Sequence, residues 1–246
     1  MSRRIAILLT SNDTSEFARR FPNDGLKVQA LVGSFRPDWA YRIWSVKDGE
    51  FPARIDAADG YIITGSPASV HDPLDWIAKL KRLIQELHAA EVPLVGLCFG
   101  HQAVALSLGG RVGRNPGGWR LGIATTHFNG KKSYMQPFAP TLDLYAAHNE
   151  QVTQLPPGAE LLGGEAFCPN ASCAIGGHVL TTEYHPEFTP DFLGALADEL
   201  EGKLPPEVVL GARRDLSRPA QGAIFAEWIV RFFEQRLSAA PRSAPH

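Results

Sequence analysis

Short, unbroken apolar runs punctuate the first hundred residues of the chain. Ile5–Leu9, Gly60–Thr64 and Val92–Leu97 show no alternation of apolar and polar positions, the pattern left by strands buried on both faces. Tyr41–Val46 predicts a further strand, closed by Lys47-Asp48-Gly49. Between these runs the apolar period changes. After Pro73, residues Trp76, Ile77, Leu80, Leu83, Ile84 and Leu87 recur at helical spacing, and His101–Leu108 reads as a helix stopped by Gly109-Gly110. Ser15–Phe21 and Leu26–Phe35 are predicted helices broken apart by Pro22 and Gly25, and Asp72 is the candidate N-cap of the helix after Pro73. Alternation of strand and helix predicts an α/β fold whose mostly parallel sheet is covered on both faces, with ligands outside the carboxyl ends of its strands.

From Arg111 to Glu183 the pattern shifts to short strands between glycine and proline turns. Gly122–Phe128, Thr141–Ala146, Glu160–Gly164, Ser172–Ile175 and His178–Glu183 are the candidates, many joined as antiparallel hairpins. Pro190–Glu201, Pro205–Leu210 and Gln221–Leu237 then read as helices. The last carries Ile224, Phe225, Trp228, Ile229, Phe232 and Phe233 on one face, an apolar stripe suited to core packing. The expected organisation is one domain over 1–237, with a helical extension at about 190–237, and a disordered tail at 238–246.

Two stretches carry candidate chemistry. Gly96-Leu97-Cys98-Phe99-Gly100 sets glycines two residues either side of a cysteine, between a strand and a helix. This is the nucleophile-elbow pattern with sulfur in place of a hydroxyl, and the helix N-terminus is expected to favour the thiolate. Alone, the motif fits a buried structural cysteine equally well. Glu183-Tyr184-His185-Pro186-Glu187-Phe188 follows a strand and sets a histidine and a carboxylate around a proline that stiffens the turn. A cysteine nucleophile needs a base that a third group orients, and His185 with Glu187 would supply both.

Composition narrows the partners. The formal net charge is −2 over 246 residues, and basic residues come only as isolated doublets such as Arg3-Arg4 and Arg213-Arg214, so no nucleic-acid partner is expected. No apolar stretch has the length of a membrane span, and Arg3–Leu9 lacks a signal-peptide pattern. Three cysteines without a Cys-x-x-Cys pair argue against a disulfide framework and suit the cytoplasm. Of the other histidines, His101 and His148 read as packed, hydrogen-bonded side chains. His88, His127, His178 and His246 have no sequence partners that suggest a metal, and none is expected.

Gly96–Gln102, the downstream His185-Pro186-Glu187 and the upstream Gly65-Ser66-Pro67 together resemble a class I, triad-type glutamine amidotransferase, in that family's order from about Ile5 to Phe188. The chain is most similar to the glutaminase half of guanosine monophosphate synthetase and to free-standing relatives that include plant-type γ-glutamyl peptidases. The resemblance implies a flavodoxin-like three-layer sandwich with a small antiparallel portion. It implies a γ-glutamyl thioester on Cys98, His185 as base and then acid, Glu187 as its orienter, and an oxyanion hole from Gly65, Ser66 and the Phe99 N–H. Gln102 falls where the family contacts the amino-acid end of the substrate. His148, Asn149 and Glu150 lie in a stretch, Ala147–Val152, that resembles the family's substrate-holding segment, although Ala147 and Glu150 depart from its usual serine and aspartate. Ser66 replaces a glycine common in the synthetase branch and is expected to narrow the pocket.

Glutamine is then the expected substrate, with ammonia passed to a separate synthetase. Only some 58 residues follow Phe188, and no nucleotide-binding loop is present, so neither ATP nor another cofactor is expected. Two alternatives stay open: a γ-glutamyl peptidase acting on glutathione-like compounds, and a non-catalytic regulatory module of the same fold. A sealed pocket beside Cys98 favours glutamine, and an open one favours a longer γ-glutamyl substrate.

Overall fold

A computed structural model describes residues 2–239 of the chain. The predicted buried runs form β1 (Arg4–Leu8), β2 (Ala40–Trp44), β3 (Gly60–Ile63) and β4 (Leu94–Leu97). With β11 (Val179–Thr182) they make the parallel half of a nine-stranded sheet ordered β2-β1-β3-β4-β11-β10-β9-β6-β7. The other half, built from β6 (Arg120–Phe128), β7 (Thr141–His148), β9 (Ala159–Gly164) and β10 (Ser172–Ile175), pairs antiparallel.

Side-chain alternation along the strands explains the layers. In β1, Ile5 and Ile7 point to a core shared with Val28, Val32, Phe225, Trp228 and Phe233, while Ala6 and Leu8 point to one shared with Trp76, Leu80, Ile84 and Val104. Thus α2 (Asp24–Gly33) and α7 (Gly222–Ala239) cover one face, and α3 (Asp75–Ala89) and α4 (Phe99–Ser107) cover the other. A third apolar cluster joins Leu121, Ile123 and Tyr145 of the antiparallel half to α5 (Pro190–Glu199) and α6 (Pro206–Asp215) through Leu193, Ala197, Val209 and Ala212.

Several expectations are corrected in detail. The helix predicted over Ser15–Phe21 is a single turn, α1 (Glu16–Arg19), capped by the Ser15 side chain. Gly25 does not break a helix but lies inside α2, whose cap is Asn23, accepting from the Leu26 N–H at 2.9 Å. Asp72 caps nothing: α3 begins at Asp75 without a side-chain cap, and the Asp72 carboxylate instead accepts from the Ser69 N–H at 3.0 Å. The pair β5 (Arg111–Arg114) and β8 (Glu150–Gln154) forms a separate two-stranded antiparallel sheet that no apolar run announced. Ser238 and Ala239, expected in the tail, continue α7, and residues 240–246 of that expected tail lie outside the described residues.

The aromatic stripe of α7 is the larger part of one core face, since Phe225, Trp228, Phe232 and Phe233 are all 1% exposed or less. Helix α7 is therefore integral to the fold rather than appended to it. Phe233→Ala is expected to destabilise the protein by about 3–5 kcal/mol in urea denaturation, the range for emptying a buried aromatic site. A loss below about 1 kcal/mol would contradict this packing.

Candidate active site

Strand order brings three separate stretches of sequence together. In the register of the parallel half, Ile63 of β3 faces Gly96 of β4, and Leu97 of β4 faces Thr182 of β11. The segments that leave the carboxyl ends of these neighbouring strands are Gly65-Ser66-Pro67, Cys98 and Glu183–Glu187. Residues far apart along the chain thereby line one crevice, where parallel sheets bind their ligands.

Cys98 occupies the sharp turn between β4 and α4. Its backbone lies at φ 49°, ψ −105°, outside the regions open to ordinary L-residues. The turn is held by the Cys98 N–H donating to Thr182 O at 2.9 Å and by Gln102 N–H donating to Cys98 O at 3.0 Å. Close backbone approach explains the flanking glycines: a Cβ on Gly96 would lie 2.7 Å from the Gly100 carbonyl, and one on Gly100 would lie 2.6 Å from Ile63 O.

His185 and Glu187 meet as their spacing suggested. His185 Nδ1 lies 2.7 Å from Glu187 Oε1, with both side chains buried. The turn is anchored to the antiparallel half by the His185 N–H donating to Tyr145 O at 2.8 Å. A Cβ added to Gly65 would fall 2.7 Å from His185 Cε1 and 3.7 Å from Cys98 Cβ, so the cysteine and the imidazole converge on the same point. The Gly65 carbonyl lies within 2.8 Å of the Thr10 hydroxyl and 3.1 Å of the Thr64 hydroxyl. In a trans peptide this fixes the Ser66 N–H in the opposite direction. Ser66 lines the cavity but turns its hydroxyl to Thr10 O at 2.9 Å, so that group ties down the turn.

Charge at the sulfur departs from expectation. Burial pushes the Cys98 thiol well up, with Glu183 and Glu187 acting in the same direction, and the Phe99 N–H only partly offsets them. Desolvation outweighs the Phe99 N–H at the helix N-terminus, so burial works against the thiolate that the elbow pattern suggested. Cys168 and Cys173 are also buried and free, with Cys173 raised to about 11 by burial.

Behind Cys98 lies a second, wholly buried polar cluster. Glu183, 0% exposed, accepts from Gln102 Nε2 at 2.6 Å and lies 3.7 Å from His101 Nε2 and 4.0 Å from His148 Nδ1. Gln102 Nε2 also donates to Glu150 O at 2.9 Å, and His148 Nδ1 lies 3.0 Å from the same oxygen. His101 is satisfied by Thr181 Oγ1 at 2.7 Å and Asn170 O at 3.0 Å. Asn149 O accepts from the Asn115 N–H at 2.7 Å, and the Glu150 carboxylate accepts from the Ser69 hydroxyl at 2.7 Å. Gln102 and His148 are buried in this cluster and Asn149 and Glu150 are partly exposed beside it, whereas Cys98, His185, Gly65 and Ser66 line the crevice itself.

That crevice is an open cavity of about 420 Å³. Trp119, Phe188, Phe192, Leu196 and Leu200 form an apolar wall, and Ser11, Asp13 and Asp24 a polar one. None of these was singled out from sequence, because ordinary helical apolar spacing is the same whether a side chain faces a core or a cavity. His88 and His178, unpartnered on paper, pair at 2.9 Å. Among the described residues no group of three or more potential metal ligands occurs, and no helix is long and apolar enough to cross a membrane.

Residues 42–195 match the family described as glutamine amidotransferase class-I. Gamma-glutamyl peptidase 5 of Arabidopsis thaliana is 30% identical over 206 residues, covering 80% of this chain and 81% of that protein. A glutamine-hydrolyzing GMP synthase of Azoarcus sp. is 30% identical over 144 residues, covering 55% of this chain but 26% of the synthase. In fold, the chain is similar to a glutamine amido transferase from Methylobacillus flagellatus, with a TM-score of 0.76, 19% identity, and 100% and 98% of the two chains covered.

Burial of the cluster behind Cys98 has a consequence for stability. It pulls His101 down to about 3 and His148 to about 4, and pushes Glu183 up. Between the ordinary glutamate and histidine values, about 4.3 and 6.5, the folded cluster carries fewer protons on its two histidines than the unfolded chain, while the upward shift of Glu183 acts in the opposite direction. Unfolding then takes up protons, so this cluster's contribution to stability falls as pH drops below about 6.5. The Glu183 shift has the opposite sign, so its contribution declines as pH rises from the ordinary glutamate value towards the raised one. Urea denaturation across this range is expected to show both slopes, with Glu183→Gln removing the alkaline decline. A Glu183→Gln curve parallel to wild type on the alkaline side would contradict the upward shift of Glu183.

Proposed function

Since the chain belongs to the class I glutamine amidotransferases, we propose that it hydrolyses γ-glutamyl amide bonds through a thioester on Cys98, releasing an amine larger than ammonia. The observation that carries this reading is the cavity. Cys98, His185 and the Gly65-Ser66 turn share it with an apolar wall for which a bare amide nitrogen has no use.

The steps follow from the groups present. His185, with Nδ1 engaged by Glu187, has Nε2 to take the Cys98 proton as the sulfur attacks the γ-carbonyl carbon. Coupling proton transfer to attack suits a thiol whose burial disfavours a free thiolate. Developing negative charge on the carbonyl oxygen is met by the N–H groups of Phe99 and Ser66. The carbon–nitrogen bond then breaks as the imidazolium protonates the departing amine. Water, deprotonated by His185, attacks the thioester, and glutamate leaves as the thiol is restored.

Two features support a substantial leaving group. The wall formed by Phe188, Phe192, Leu196 and Leu200 comes from the His-Pro-Glu turn, α5 and the turn that follows it. The similarity to a γ-glutamyl peptidase also spans most of both chains. Glutamine hydrolysis for a separate synthetase is the second reading, favoured by the shorter match to a GMP synthase. In that case a docked partner has to close the mouth of the cavity to retain ammonia.

Purified protein offered γ-glutamylphenylalanine and glutamine separately is expected to show kcat/KM at least about tenfold higher for the peptide, about 1.4 kcal/mol of discrimination, well within what an apolar pocket supplies. Faster ammonia release from glutamine would favour the second reading. Cys98→Ala is expected to lower kcat by more than about 10³-fold, and Glu187→Gln by about 10²–10⁴-fold, as for other triads. Activity retained in Cys98→Ala would overturn the mechanism.

Gly65→Ala tests the close approach of the turn to the base. Its methyl group would displace the imidazole from 2.7 Å, with an expected loss in kcat of about 10²-fold from misplacement and a melting temperature close to wild type. Wild-type kcat in that variant would contradict the convergence on which the reading rests.

A further inference from the structure

Three neighbours act on the imidazole of His185, and one of them, Phe188, belongs neither to the triad nor to the Gly65-Ser66 turn. Glu187 Oε1 holds Nδ1 at 2.7 Å. Gly65 closes the Cε1 edge, leaving no space for a methyl group. Phe188 covers a face: the two ring centroids are 3.9 Å apart and the planes differ by 12°. This is a near-parallel stack within one turn, since the Phe188 N–H also reaches the His185 carbonyl at 3.5 Å.

The stacked ring is itself immobilised. Phe192 meets Phe188 at 4.5 Å with 61° between planes, and Phe17 and Phe21 meet Phe192 at 5.6 and 5.1 Å. The Lys27 ammonium lies 3.4 Å from the Phe192 centroid and 5.4 Å from that of Phe188. Asp24 pairs with Lys27 at 2.8 Å. Elements α1, α2 and α5 therefore converge on a single aromatic column whose last ring lies against the imidazole.

An aromatic face attracts a cation far more than a neutral ring. Taking up the thiol proton makes the imidazole cationic, so the attraction is stronger after proton transfer than before it. An interaction that strengthens along the reaction lowers its barrier. We propose that Phe188 is a positioning residue that fixes the His185 imidazole in the Glu187 plane and favours its protonated form during acyl transfer. The inference rests on the reading of Cys98 and His185 as nucleophile and base, but it concerns a residue that reading does not use. Phe188 also lines the cavity, so its effect on the base has to be separated from contact with the leaving group.

The test compares the full-length wild-type chain with Phe188→Leu, Phe188→Tyr and Cys98→Ala on γ-glutamylphenylalanine, following amine release. Leucine keeps apolar bulk without an aromatic face, and tyrosine restores the face. In Phe188→Leu, kcat is expected to fall about 3- to 30-fold, the range of a partly desolvated cation–π contact. The acid limb of the kcat/KM profile moves to lower pH, because the protonated ring has lost its partner. Phe188→Tyr is expected to restore both, with KM within about twofold of wild type and melting temperatures unchanged across the set.

Wild-type kcat and pH profile in Phe188→Leu would overturn the proposal. So would a loss that tyrosine fails to restore, or one confined to KM, which marks a leaving-group contact only. The underlying reading fails separately, through activity retained in Cys98→Ala.

Discussion

The site depends on the crossing of β4 and α4, where backbone atoms approach closely enough that only glycine fits on either side of Cys98. Gly100 packs its Cα against the Ile63 carbonyl of β3, and Gly96 packs against Gly100. The strained Cys98 backbone is the product of that compression, held in place by hydrogen bonds from neighbouring strand and helix. Because β3, β4 and β11 are adjacent and parallel, the same crossing delivers the Gly65-Ser66 turn to one side of the sulfur and the His-Pro-Glu turn to the other.

Burial works against charge throughout the site: it pushes Cys98 and Glu183 up and His101 and His148 down. Around His185 stand a carboxylate at Nδ1 and an aromatic face over the ring, both of which would favour an imidazolium if the proposed proton transfer from sulfur takes place. Such an arrangement differs from a preformed thiolate at a helix N-terminus, which the elbow motif alone suggests. The difference is one of magnitude, since removing a thiolate from water outweighs half a helix charge at this depth.

The antiparallel half and the carboxyl-terminal helices serve the site by enclosing it. β7 anchors the His185 backbone through Tyr145. Helix α5 supplies Phe192 and Leu196 to the wall of the cavity, and α1 and α2 supply Phe17 and Asp24. Several wall residues, such as Phe17, Asp24 and Leu200, lie outside the stretch 42–195 that matches the family, whereas Gly65, Cys98 and His185 all lie inside it.

Much of this was legible in one dimension. Buried strands announce themselves by unbroken apolar runs, and the elbow and the His-Pro-Glu turn by glycine and proline at positions where backbone geometry admits little else; these are local constraints, written in neighbouring residues. What the tertiary structure alone decided is long-range. Gly25 sits inside a helix because Asn23 caps it, and β5 and β8 pair without apolar runs of their own. Gln102 is committed to Glu183 and the Glu150 carbonyl. The cavity walls and the stack of Phe188 on His185 likewise depend on which elements pack together. A residue's type and spacing determine its conformation, but solvation, and with it charge and access, depends on what the rest of the fold lays over it.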